Sequence, residues 1–100
     1  MSAPQTLAEV RTGIDELDGE LIRLLASRQE LVRAAATFKS DEQAVRAPDR
    51  VEQVVALART RAAAEGLEPT VAEAVWRAMS SAFIALELTE HAARGQRATR

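Results

Sequence analysis

The stretch LAEVRTGIDELDGELIRLLASRQELVRAAATFK, residues 7–39, decides the fold. Leu7, Val10, Ile14, Leu17, Leu21, Leu24, Leu31, Ala35 and Phe38 recur in it at steps of three and four. That spacing predicts one long helix with a single apolar seam. Thr6 precedes it and Glu9 lies three residues on, a capping-box spacing. The repeat calls for an apolar residue at 28, and Arg28 stands there instead. A guanidinium on a buried seam is costly unless an anion or acceptor meets it. The seam is therefore expected to face a cavity at that point, one that favours negative charge. The alternative is that Arg28 lies at the seam's edge and carries its head into water.

Working outward, residues 40–47 have no clean period and read as a loop. Pro48 suits the first turn of a second helix, whose seam is Val51, Val54, Val55, Ala58 and Ala62 and which Gly66 ends. Pro69 starts a third helix with Val71, Val75, Met79, Ala82, Phe83 and Leu86 inward. This helix should fade near Gly95, leaving a frayed, solvated tail with Arg94, Arg97 and Arg100. The fold class is all-α, in one domain spanning 1–100 with its core at about 7–92. A first helix of some 33 residues is about 50 Å long, whereas a compact domain of this size has a radius of gyration near 13 Å. Two shorter helices cannot cover such a seam. The economical solution is a second copy, giving a three-helix protomer in an entwined homodimer. A bend near Gly13 would instead fold the helix back into a monomer.

Bulk properties narrow the function. Net charge is −2, so nucleic acid is not an expected partner. There is no cysteine and one histidine, His91, which argues against a metal site of ordinary composition. No apolar run approaches the roughly 20 residues of a membrane span. The N-terminus lacks the basic and apolar parts of a signal peptide. A cytoplasmic protein without a membrane partner is expected.

The candidate chemistry is cationic. Lys39 lies on nearly the same helical face as Arg28, about 16 Å further along. A small dianion could bridge the two. Arg11 lies about 25 Å from Arg28 and about 100° around the helix, out of reach of the same small ligand. In an antiparallel dimer, Arg11 of one chain can approach Arg28 of the other. Arg50 opens the second helix and could close the site. Guanidinium groups suit carboxylates bidentately, although a surface ion pair is the commoner fate of any one arginine. Glu87 borders the apolar face of the third helix beside Phe83, Ile84 and Leu86, where its carboxyl would be desolvated; a solvated flank position is the alternative. Ser27, Ser80 and Ser81 have no histidine at plausible spacing, and there is no glycine-rich phosphate loop. The expected site is a cationic box for a dicarboxylate, with no covalent machinery and no cofactor. Such a site suits reactions driven by conformational restraint and electrostatic stabilisation.

These residues are where the chain resembles the all-helical chorismate mutase family. Leu7, Arg11, Ile14, Asp15, Leu17 and Asp18 meet the pattern L-x-x-x-R-x-x-I-D-x-L-D. Leu24, Leu25, Ala26, Arg28, Glu30, Leu31 and Val32 meet L-L-A-x-R-x-E-L-V, and Lys39 and Arg50 follow in order. The segment FKSDEQAVRAPDRV, residues 38–51, is similar to the F-K-x-x-E-x-A-I-x-A-P-E-R-V of the isochorismate pyruvate lyase branch. Typical mutases carry glutamate after the second-helix arginine; this chain has Val51, as the lyase branch does. The family usually has glutamine where this chain has Glu87, to donate a hydrogen bond to the breaking ether oxygen. An ionised carboxylate cannot donate, and family members with glutamate there work at acidic pH.

The resemblance implies an entwined dimer, each site taking one arginine from the other subunit, and rearrangement of chorismate to prephenate. Arg11 from the partner chain and Arg28 would hold the two carboxylates. Lys39 and a protonated Glu87 would stabilise charge building on the ether oxygen. Arg50 would lie on the ring side, with Val51 and Ile84 also contacting substrate. Elimination of pyruvate from isochorismate to give salicylate is the alternative chemistry, and an amino-substituted chorismate a third substrate. A catalytically silent helical dimer regulating a partner is the non-enzyme alternative, against which Arg28 argues.

Overall fold

The computed structural model describes residues 3–98, with side chains described through Gly95. Thr99 and Arg100, at the end of the expected frayed tail, lie outside the described residues, as does the side chain of Arg97. Among the described residues all regular structure is helical: α1 Leu7–Ala36, α2 Glu42–Arg46, α3 Pro48–Glu65 and α4 Pro69–Ala98. The chain divides into two compact units, Met1–Leu31 and Val32–Arg100.

The expected cap of α1 forms. The Glu9 N–H donates to the Thr6 hydroxyl at 3.1 Å, and the Glu9 carboxylate reaches back to the Gln5 N–H at 2.7 Å. The reciprocal bond thus falls one residue before the usual capping-box partner. The helix runs unbroken through Gly13. Its apolar seam is solvent-exposed throughout the first unit, with Leu17 60% and Leu31 72% exposed. The helix ends at Ala36, three residues before the expected end at Lys39. The N–H groups of Thr37, Phe38 and Lys39 bond to carbonyls three residues back rather than four, and the Thr37 hydroxyl turns onto the Ala34 carbonyl at 2.7 Å. Threonine competes in this way with the next helical turn, and the tightened turn redirects the chain at Lys39.

The stretch expected to be a loop holds α2. Asp41 caps it, its carboxylate accepting from the Ala44 N–H at 2.8 Å. Five residues cannot sustain a helix unaided. Val45, 2% exposed, anchors it where α2 packs on α4; burying a valine is worth about 1.5 kcal/mol or more. Ala47 joins α2 to α3 at φ 36°, in the left-handed region, and Pro48 then opens α3. Gly66 at φ 78° ends α3, its N–H bonding back to the Ala62 carbonyl. Both α3 boundaries are where Pro48 and Gly66 predicted them.

α3 packs along α4. Val55, Ala58 and Ala62 are buried on α3; Ala72, Ser80 and Glu87 are buried on α4. Small residues on both helices allow close approach. The inward face of α4 therefore differs from the expected one. Val71 and Val75 are nearly half exposed and Ala82 is exposed, while Met79, Phe83 and Leu86 are half-buried. Apolar residues occupy more than one face of this helix, and the alanines of α3 select the smaller side chains. At its far end α4 runs to Ala98 instead of fading at Gly95.

A charge network crosses the α3–α4 surface. Arg77 grips both carboxylate oxygens of Glu52 at 2.7 and 3.0 Å and one oxygen of Glu73 at 2.9 Å, and Arg59 holds Glu73 at 2.8 Å. Hydrogen bonds from Arg77 hold the Glu52 and Glu73 carboxyls below the usual carboxylate range, and the two glutamates raise Arg77 in turn.

Candidate active site

The turn after α1 delivers Lys39 to α4. The Lys39 ammonium meets both carboxylate oxygens of Glu87, at 3.0 and 3.3 Å. The two residues are 48 apart in sequence. Glu87 is 5% exposed and Lys39 half-buried, so the pair is largely withdrawn from water. In this contact Glu87 accepts from Lys39 through both oxygens and offsets its charge; only a protonated carboxyl could itself donate. Sequence placed Glu87 at the border of an apolar face; the fold buries it.

A second cation from the same turn region supports the arrangement. Arg33, in the last turn of α1, donates to Glu90 at 3.0 Å, three residues beyond Glu87 on α4. Sequence reasoning did not single out this pair; Ser80, weighed there only as a serine without a histidine partner, is buried two turns before Glu87 on the same face of α4. A basic residue six positions before Lys39 is the only hint of the first.

The remaining candidate residues are placed as follows. Ile84 is half-buried, one turn before Glu87, and lines a cavity of about 280 Å³ with Arg46, Ser81, Ala85 and Leu88. Arg50 and Val51 lie in the first turn of α3, Arg50 exposed and Val51 half-buried. Arg11 and Arg28 lie on α1 in the Met1–Leu31 unit, Arg11 exposed and Arg28 half-buried. Lys39 and Glu87 are the pair brought into direct contact. No group of three or more potential metal ligands occurs among the described residues, and no described helix is long and apolar enough to cross a membrane.

This geometry pairs a buried carboxyl with a cation beside an apolar wall and leaves further arginines on neighbouring elements. It can restrain a small anion and stabilise charge on an oxygen, without a nucleophile. The profile of the type II chorismate mutase family matches residues 10–88. The chain belongs to that family. The type II chorismate mutase match spans α2, α3 and most of α1 and α4, including every candidate residue. The chain is also 30% identical to the isochorismate pyruvate lyase of Pseudomonas aeruginosa over 82 residues, 82% of this chain and 81% of that protein. The family and this relative make the chain a chorismate mutase or a closely related isochorismate pyruvate lyase, in keeping with its all-helical fold.

Proposed function

We propose that the chain rearranges chorismate to prephenate in a cationic pocket shared by two cytoplasmic subunits. The observation that carries this reading is the contact between Lys39 and the buried Glu87. In the rearrangement the ether C–O bond breaks while a C–C bond forms, and negative charge builds on the ether oxygen. Lys39 supplies positive charge there, and Glu87 in its protonated form donates a hydrogen bond. Arg28 and the partner chain's Arg11 hold the two carboxylates, Arg50 sits on the ring side, and Val51 and Ile84 pack against the substrate. Binding fixes the reactive conformation, which is the larger part of the task in a reaction without intermediates.

Two observations support a dimer. The apolar seam of α1 is exposed along Leu7, Val10, Ile14, Leu17, Leu21 and Leu24, and Val71 and Val75 of α4 are nearly half exposed. Apolar surface of that extent favours a protein partner, and a second copy offers a matching seam.

The lyase relative and Val51 favour a second reading, elimination of pyruvate from isochorismate. Separate incubation with chorismate and isochorismate, followed by product identification, decides between them. Prephenate from chorismate is expected. Salicylate and pyruvate from isochorismate, with chorismate left unchanged, would overturn the mutase reading.

A further inference from the structure

Ser80 and Glu87 are the buried polar side chains among the described residues. Glu87 has its partner in Lys39. Ser80, 8% exposed, makes no hydrogen bond with any described side chain or carbonyl. Other hydroxyls on these helices behave differently. Those of Thr12, Ser27, Thr60 and Thr89 fold back onto the carbonyl four residues earlier, although all four residues are exposed. A buried hydroxyl that forgoes this bond calls for a partner from elsewhere. Among the described residues no side-chain oxygen is both sealed in and unpaired. The Ser80 hydroxyl therefore opens onto space rather than into packing. Its level in the fold follows from the ion pairs of α3 and α4. Arg77 meets Glu52, and Glu73 meets Arg59, so the two helices run antiparallel. Three residues beyond Arg77, Ser80 stands level with the first turn of α3, which carries Arg50 and Val51. Glu87 lies on the same face of α4, about 10 Å further along.

Chorismate carries two carboxylates, an ether oxygen and one ring hydroxyl. The proposed arginines take the carboxylates, and Lys39 with Glu87 takes the ether oxygen, which leaves the ring hydroxyl without a partner. The hydroxyl stands on the ring carbon next to the ether carbon. Long helical side chains lean toward the start of their helix, so the Glu87 carboxyl reaches back toward Ser80. Two hydrogen bonds of about 2.8 Å, one on each neighbouring oxygen, close the remaining gap. We infer that Ser80 holds the substrate's ring hydroxyl and thereby sets specificity for a hydroxylated ring. The inference rests on chorismate as the substrate and deepens that reading.

The test compares full-length wild type and Ser80→Ala on two substrates, chorismate and the analogue with hydrogen in place of the ring hydroxyl. Ser80→Ala should lower kcat/KM for chorismate about tenfold. Wild type should lose a similar factor on the analogue, because its own hydroxyl is then left unpaired. On the analogue the two proteins should differ little, since the alanine removes a bond that the analogue cannot make. The melting temperature of Ser80→Ala should equal or exceed that of wild type, because the variant loses an unpartnered buried hydroxyl. An equal loss on both substrates would overturn the inference and make Ser80 a packing residue. Unchanged kcat/KM for chorismate would overturn it as well. If chorismate binds without being converted, the mutase reading fails, and the same comparison of dissociation constants decides for or against Ser80. If chorismate does not bind to wild type, both are overturned.

Discussion

Removing Lys39 should destabilise the protein more than removing Glu87, and removing both should cost less than the sum. Lys39→Met strands the Glu87 carboxylate, which is 5% exposed and loses its contacts at 3.0 and 3.3 Å. Breaking a buried ion pair from one side costs about 3–5 kcal/mol. The Lys39 side chain is 25% exposed, which places this pair at the low end, about 3 kcal/mol. At roughly 4–8 °C per kcal/mol for a domain of this size, the melting temperature should fall by roughly 10–25 °C. Glu87→Leu should cost about 1 kcal/mol, because the flexible, partly exposed Lys39 can turn its ammonium to water. The double variant Lys39→Met/Glu87→Leu replaces the pair with apolar groups, a change that is often near neutral. The predicted coupling is about 2 kcal/mol or more. The assay is urea unfolding by circular dichroism at one fixed protein concentration, since association adds to apparent stability. Additive single and double variants, or a Lys39→Met protein as stable as wild type, would refute the reasoning.

Other consequences are equally open to measurement. Glu52 and Glu73 titrate below the usual carboxylate range because Arg77 bonds to them. Their contribution is therefore present above the unfolded value near 4.3 and is lost as pH falls through the lower folded values. The thermal stability advantage of wild type over Arg77→Met should be constant near neutrality and shrink as pH drops below about 5; an advantage independent of pH would contradict the network. Sedimentation at micromolar concentration should find a dimer, and a stable folded monomer of 10.8 kDa would contradict it. Inactive Arg11→Ala and Arg28→Ala subunits, mixed and refolded, should recover activity in mixed dimers with one intact site each. Verified mixed dimers without activity would rule out Arg11 acting across the interface.

The long helix was legible because thirty residues repeat one period and Thr6 and Glu9 mark its start. Pro48, Gly66 and Pro69 marked boundaries for the same reason: each acts through its own backbone constraint. α2 was hidden because five residues show no period, and its stability comes from Asp41 and from Val45 against α4. The inward face of α4 was misjudged because Val71 and Val75 are larger than Ala72 and Ser80, and hydropathy favours the larger residues. The choice lies with the alanines of α3, which sequence periodicity does not connect to α4. Lys39 and Glu87 were each recognisable, but the burial of Glu87 depends on the turn after Ala36 and on helix packing.

The central claim is that the side chain at Glu87 donates a hydrogen bond to the ether oxygen beside Lys39, and turnover of Glu87→Gln and Glu87→Leu on chorismate tests it most directly. Glutamine donates and is of similar size, whereas leucine cannot donate. One such donor is worth about 10²–10³ in rate, so Glu87→Gln should retain turnover while Glu87→Leu loses about that factor. If Glu87→Leu turns chorismate over as fast as Glu87→Gln does, the contact of residue 87 with the ether oxygen must be abandoned.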